Sequence, residues 1–134
     1  YKNKSKAIKE AIKIIVEQYN GVVPHDKKTL ISLPGVGNKT ANVFRAEYLK
    51  EPELAVDTHV SRVAKRLGFV TQKDSVETIE RKLRKAFDKS EYIKVHHLFI
   101  HFGRYFCKAI NPNCKECALK DICRFYNIKN RRKR

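Results

Sequence analysis

Pro34-Gly35-Val36-Gly37 restricts the path of this chain more than any other four residues. Proline lacks an amide hydrogen and cannot continue a helix, while glycine reaches backbone conformations that other residues resist. Leu30, Ile31 and Leu33 precede the stretch at helical spacing, and Val43, Phe44, Ala46 and Tyr48 follow it from Asn38 onward. The chain must therefore turn sharply between two helices over about residues 27–50. Asp26 suits the N-cap of the first, and Glu51-Pro52 ends the second.

Helical spacing recurs on both sides of this hairpin. Residues 5–19 place Ile8, Ala11, Ile12, Ile15, Val16 and Tyr19 on one face, stopped by Asn20-Gly21. Asp57-Thr58 predicts the N-cap of a helix through Val60, Val63, Ala64 and Leu67, closed by Gly68. Asp74-Ser75 opens another, carrying Val76, Ile79, Leu83 and Phe87, and a further helix is expected over 92–106. No stretch alternates as a strand would, and there is no repeat, so the fold class is all-α. A chain of 134 residues that is 42% hydrophobic makes one domain or two small ones.

Charge points to a polyanionic partner. Lys and Arg number 30 against 14 Asp and Glu, a net +16. Nucleic acid is favoured over an anionic membrane because no strongly amphipathic basic helix stands out, and no apolar run approaches the ~20 residues of a membrane span. The KNRRKR end (129–134) is expected to be a frayed basic tail, a phosphate contact or a nuclear address. No signal peptide is visible, but the chain opens at Tyr1 without Met, so an upstream segment is expected.

All four cysteines fall within one short stretch, Cys107, Cys114, Cys117 and Cys123, spaced C-x6-C-x2-C-x5-C. So short a loop buries little core of its own, and its thiolates can surround a single metal centre. Two disulfides are disfavoured because nothing else suggests secretion. Spacing alone leaves tetrahedral zinc and an iron–sulfur cubane equally open. Lys108, Lys115, Lys120 and Arg124, interleaved with the thiols, make a phosphate-binding surface or balance the thiolate charge.

At the hairpin, Gly35, Val36 and Gly37 let the backbone approach a phosphate, and the amides opening the next helix are unpaired donors for it. Thr40 and Lys39 lie in that first turn. An ammonium there opposes the positive end of the helix dipole, a cost for a structural lysine and an asset for a nucleophile, which must be neutral. Lys39 is thus either a phosphate contact or a nucleophile. Asp57 likewise is an N-cap, a carboxylate that stabilises positive charge on a sugar, or both. His96, His97 and His101 lack the carboxylate of an H-E-x-x-H pattern and are expected to pack or to bond backbone.

LPGVGNKTAN (33–42), AVDTHVSRVAKRLG (55–68), His96-His97, FGRYFC (102–107) and the cysteine spacing together resemble endonuclease III, of the helix-hairpin-helix DNA glycosylase superfamily. The resemblance runs from Tyr1 to about Phe125 with the motifs in family order. It implies part of a helical barrel domain (1–51) followed by a cluster domain (52–134), with a [4Fe-4S] cluster on Cys107, Cys114, Cys117 and Cys123. It implies that Lys39 attacks C1′ of a flipped, oxidised pyrimidine nucleotide, that Asp57 activates the attack, and that the Schiff base permits β-elimination. Gly35, Val36, Gly37, Lys39, Thr40, Lys108 and Lys115 would contact DNA. Adenine glycosylases of the same superfamily lack a lysine at the Lys39 position. The implied protein is an intracellular monomer of cytoplasm and nucleoid, or of nucleus or organelle in a eukaryote, acting on damaged or abasic duplex DNA. Family members carry several helices before the position of Tyr1, so the chain is expected to be a fragment.

Overall fold

The computed structural model describes residues 1–131, of which 130 and 131 are described by backbone alone. Every regular element among them is helical: α1 (Lys2–Tyr19), α2 (Lys27–Ser32), α3 (Asn38–Glu47), α4 (Thr58–Leu67), α5 (Val76–Ala86), α6 (Tyr92–His101) and α7 (Arg124–Arg131). The chain divides into two compact units, Tyr1–Glu53 and Leu54–Arg134. No helix among the described residues is long and apolar enough to cross a membrane.

In the first unit, Leu30, Leu33 and Ala41 are buried, with Ala11, Ile14, Ile15, Tyr19, Val36 and Phe44 packed against them. Helix α1 ends as its sequence demands. Asn20 adopts a left-handed conformation (φ 52°) and Gly21 follows at φ 77°, with both amides bonded back to Ile15 O. Asp26 caps α2, accepting from the Thr29 amide at 2.8 Å and its hydroxyl at 2.7 Å. The Thr29 hydroxyl, and then its amide, hold the Asp26 carboxyl below its ordinary range. Arg45 ties the far end of α3 to the loops beside it, donating to Glu53 Oε1 (2.9 Å) and to the His25 carbonyl.

The second unit is built on Leu54, Val56, Val60, Ala64, Val70, Ile79, Leu83, Tyr92 and Val95. Phe87 and Phe99 meet edge to face with centroids 6.1 Å apart, and both contact Phe69. Helix α4 packs against α5, α6 and α7. It stops at Gly68, whose φ of 100° places it where a residue with a Cβ is strained.

Several boundaries differ from the sequence reading. Helix α1 begins at Lys2, three residues early. Helix α3 stops at Glu47, ahead of Glu51-Pro52, because Lys50 turns left-handed (φ 58°) and the Glu51 amide bonds back to Arg45 O at 2.9 Å. Helix α5 opens at Asp74-Ser75 as expected, with Ser75 as the cap, its Oγ 3.2 Å from the Thr78 amide. Asp74 instead accepts from the Thr71 amide and from Lys82 Nζ (2.7 Å), and these bonds, Lys82 first, hold its carboxyl down at about 2. Phe87 lies just beyond α5. The helix expected over 92–106 is continuous, but Phe102–Phe106 widens into a π turn closed by the Cys107 amide on Phe102 O at 2.7 Å. The expectation of a frayed tail from residue 129 is corrected for its first residues. Lys129 to Arg131 are the last turn of α7, which Phe125 anchors by lying under the Arg66 guanidinium at 4.8 Å. Residues 132–134 of that tail lie outside the described residues.

Candidate nucleic-acid interface and metal centre

Leu33 to Val36 form the turn between α2 and α3, closed by the Val36 amide on Leu33 O at 3.1 Å. Pro34 takes the second position and Gly35 the third, with φ 76°, as a type II turn requires. Gly35 also faces α1 closely: a Cβ there would stand 2.9 Å from Ala7 Cβ. Gly37 is different. Its φ of −96° suits any residue, and a Cβ would meet nothing within 4 Å. Nothing within the chain requires a glycine at 37, whereas a ligand approaching the backbone would.

These two glycines should therefore separate by experiment. Gly35→Ala carries a left-handed backbone cost of roughly 1–2 kcal/mol and an overpacking cost of about 1–3 kcal/mol. Denaturant unfolding should show a loss of about 2–5 kcal/mol for Gly35→Ala and about 0.5–1 kcal/mol for Gly37→Ala, the cost of alanine at an N-cap. Equal stability of the two variants would contradict this account of the turn.

Gly37 is the N-cap of α3 and offers no side-chain acceptor. The first intrahelical bond runs from the Ala41 amide to Gly37 O at 3.0 Å. Helices α2, α4 and α5 by contrast each begin with a side-chain cap. Lys39 and Thr40 are exposed in this uncapped first turn, and Lys39 has no ion-pair partner among the described residues. Backbone donors, a dipole end and a free ammonium thus meet at one exposed place in the first unit.

Asp57 lies in the second unit, after the buried run of Leu54, Ala55 and Val56. It caps α4, its Oδ1 accepting from the Val60 amide at 2.8 Å. The residue is half-buried, and no bond among the described residues engages its other oxygen. Capping thus uses half of the carboxylate and leaves the rest available. Of the three histidines, His96 is buried with Nδ1 2.9 Å from Ala55 O, and His101 lies against Tyr105 at 5.5 Å. His97 is exposed, with its ring 5.6 Å from that of His96.

The four cysteines form no disulfide. All four line one cavity, walled by Phe102, Phe106, Phe125 and Leu67. Burial pushes the Cys114 thiol up, and negative charge on Cys107 and Cys123 adds to this. Such a set of mutually repelling donors suits a cationic centre. Among the described residues no three of these sulfurs lie within 4.8 Å of one another. A single tetrahedral zinc at about 2.3 Å from each would draw them closer than that. Lys108 and Lys115 stand exposed on the loop.

Two arginines that sequence reasoning passed over organise this loop. Arg66 donates to Lys108 O (2.7 Å), Ala109 O (3.0 Å) and Cys107 Sγ (3.3 Å). Arg62 donates to Gly103 O at 2.6 Å and Cys107 O at 3.2 Å. Their four-residue spacing puts both on one face of α4, which was the available signal.

A family model for HhH-GPD superfamily base excision DNA repair proteins matches residues 1–89. Endonuclease III of Bacillus subtilis (strain 168) is 49% identical over 124 residues, covering 92% of this chain and 57% of the relative. A non-covalent endonuclease III–DNA complex superposes with a TM-score of 0.92 at 46% identity, over 96% of this chain and 60% of that one. A trapped covalent endonuclease III–DNA intermediate gives 0.92 at 45%, with the same coverage. The chain spans about three fifths of the length of the relatives it matches. With helices throughout, a Pro-Gly-Val-Gly hairpin and a family match over most of its residues, the chain belongs to the HhH-GPD superfamily of base excision DNA repair proteins.

Proposed function

We propose that this chain carries the chemistry of a DNA glycosylase with abasic-site lyase activity, acting as a monomer on duplex DNA with oxidised pyrimidines or abasic sites. The observation that carries the proposal is Lys39: an exposed amine with no ion-pair partner among the described residues, in the uncapped first turn behind a glycine turn. Similarity to endonuclease III, one example of which was trapped covalently on DNA, supports it.

The hairpin amides around Gly35 and Gly37 would hold a backbone phosphate of the damaged strand. Lys39 Nζ, neutral, attacks C1′ as the glycosidic bond breaks and the base departs with the bonding pair. Asp57, through the oxygen its cap leaves unused, stabilises positive charge developing on the sugar and accepts the proton released in the attack. Loss of that proton and opening of the sugar ring give the Schiff base. A C2′ proton then leaves, the 3′ C–O bond breaks and the phosphate departs. Hydrolysis returns the lysine.

Cys107, Cys114, Cys117 and Cys123 would hold a [4Fe-4S] cluster. Four unbridged thiols lining one cavity fit that donor set. When bound, the cluster supplies a compact charge centre that fixes the loop. Lys108 and Lys115 would then present ammonium groups to phosphates flanking the lesion.

Borohydride reduction in the presence of abasic duplex DNA tests the proposal. A covalent protein–DNA complex is expected, and without borohydride the strand should be cut 3′ to the site. Salt-sensitive binding with neither product would show a DNA-binding module without this chemistry.

A further inference from the structure

His96 is a buried polar side chain of α6, 5% exposed. Its Nδ1 lies 2.9 Å from the carbonyl oxygen of Ala55. A carbonyl oxygen only accepts, so Nδ1 carries the hydrogen and donates it. Ala55 is the middle residue of the 54–56 run, which belongs to no helix and no sheet yet is at most 4% exposed. A carbonyl buried in such a segment needs a partner. Here the partner comes from a helix 41 residues further along the chain.

Asp57 follows two residues later. On its far side the first turn of α4 fixes it through the Val60 amide. On its near side the anchored peptide is that of Ala55, with Val56 as the one residue between. Val56 is itself packed in the core with Val60 and Val95. The direction taken by the carboxylate oxygen that the cap leaves unused is set between these two anchors.

We propose that His96 is a positioning residue for Asp57, acting through the Nδ1–H···O=C bond to Ala55. The inference rests on the role given to Asp57 above. His96 does not itself reach the DNA; it holds the peptide that aims the carboxylate. His96→Leu removes the donor, whereas Asn carries an amide N–H close to the place of Nδ1 and should restore the bond.

The test uses single-turnover formation of the borohydride-trapped complex on abasic duplex DNA, with affinity measured in parallel. His96→Leu is expected to slow trapping about tenfold with affinity unchanged, and His96→Asn to recover most of the rate. In an Asp57→Asn background the same His96→Leu change should cost less than about twofold, because residues acting as a unit are not additive. A folded His96→Leu protein with the parent rate, or an equal loss in both backgrounds, overturns the inference. Asp57→Asn at the parent rate would sink the role of Asp57 instead. The anchoring itself is read without turnover: amide hydrogen exchange at Val60 should rise about tenfold in His96→Leu and return in His96→Asn. Unchanged Val60 protection in His96→Leu also overturns it, and if that protein fails to fold, an Asn variant without rescue does so.

Discussion

Lys39→Arg is expected to bind abasic duplex DNA within about threefold of the parent while forming the borohydride-trapped complex at least about a thousandfold more slowly. The substitution separates the two roles open to this residue. Arginine keeps the positive charge and hydrogen-bonds phosphate as well as lysine does, but it stays protonated and cannot attack C1′. If Lys39 only holds a phosphate, the arginine variant should trap and incise like the parent. Lys39→Gln completes the series. It removes the charge as well, so affinity should fall by up to about tenfold and the salt slope by about one unit, the loss of one phosphate contact. Trapping should be no worse than with arginine. The first turn of α3 has no side-chain cap and Lys39 no ion-pair partner among the described residues, so neither substitution removes a contact seen there. Thermal unfolding should confirm this with a change under about 0.5 kcal/mol. A trapped complex surviving in both variants at the parent rate would place the nucleophile on another amine.

Local chemistry made much of this molecule legible in its sequence. Pro34 and Gly35 dictate the hairpin because their backbone limits do not depend on the rest of the chain, and Asp26 and Asp57 announce helix starts for the same reason. What failed to show was set by partners distant in sequence. The π turn at 102–106 is such a case: Gly103 lies against α4, where a Cβ would come within 3.1 Å of His59 Cβ and 3.2 Å of Val63 Cγ2. Nothing in FGRYFC alone requires that approach. Helix α7 was missed because polar residues dominate Arg124–Arg131, and its attachment comes from Arg66 under a tertiary contact. Asp57 was legible as a cap and as a carboxylate in a recognised motif. That His96 holds the peptide before it was beyond any pattern, since the bond joins residues 41 apart.

Removing one cysteine should have the largest structural consequence of any single change in the second unit. Between residues 107 and 123 the only buried side chains are Cys117 and Cys123, each 9% exposed. The loop otherwise depends on short turns, such as the Lys120 amide on Cys117 O (3.1 Å) and the Cys123 amide on Lys120 O (3.2 Å). Such exposed turn bonds contribute little net stability, about 1 kcal/mol each at most. A structural metal centre supplies on the order of 10 kcal/mol. On the proposed assignment, the loop beyond Ala109, the last residue whose carbonyl Arg66 engages, would owe its conformation to what the thiols hold. Cys117→Ser is expected to give colourless protein with iron below about one atom per chain, against about four in the parent. Protease should then cut within 107–123 at least about tenfold faster. The core of Leu54, Val60, Ile79 and Leu83 draws nothing from the loop, so its amides should stay protected from exchange. Arg66 would still reach the carbonyls of Lys108 and Ala109, so the first cut is expected beyond Ala109. DNA binding should register the same change. With Lys115 no longer held in place while Arg66 keeps Lys108, the salt dependence should lose up to about one phosphate contact. An iron-free Cys117→Ser protein with the parent's protease resistance would mean that the turns and the arginines suffice to hold the loop. Parent protein containing one zinc and no iron would overturn the cluster assignment while leaving the expected collapse of the loop in place.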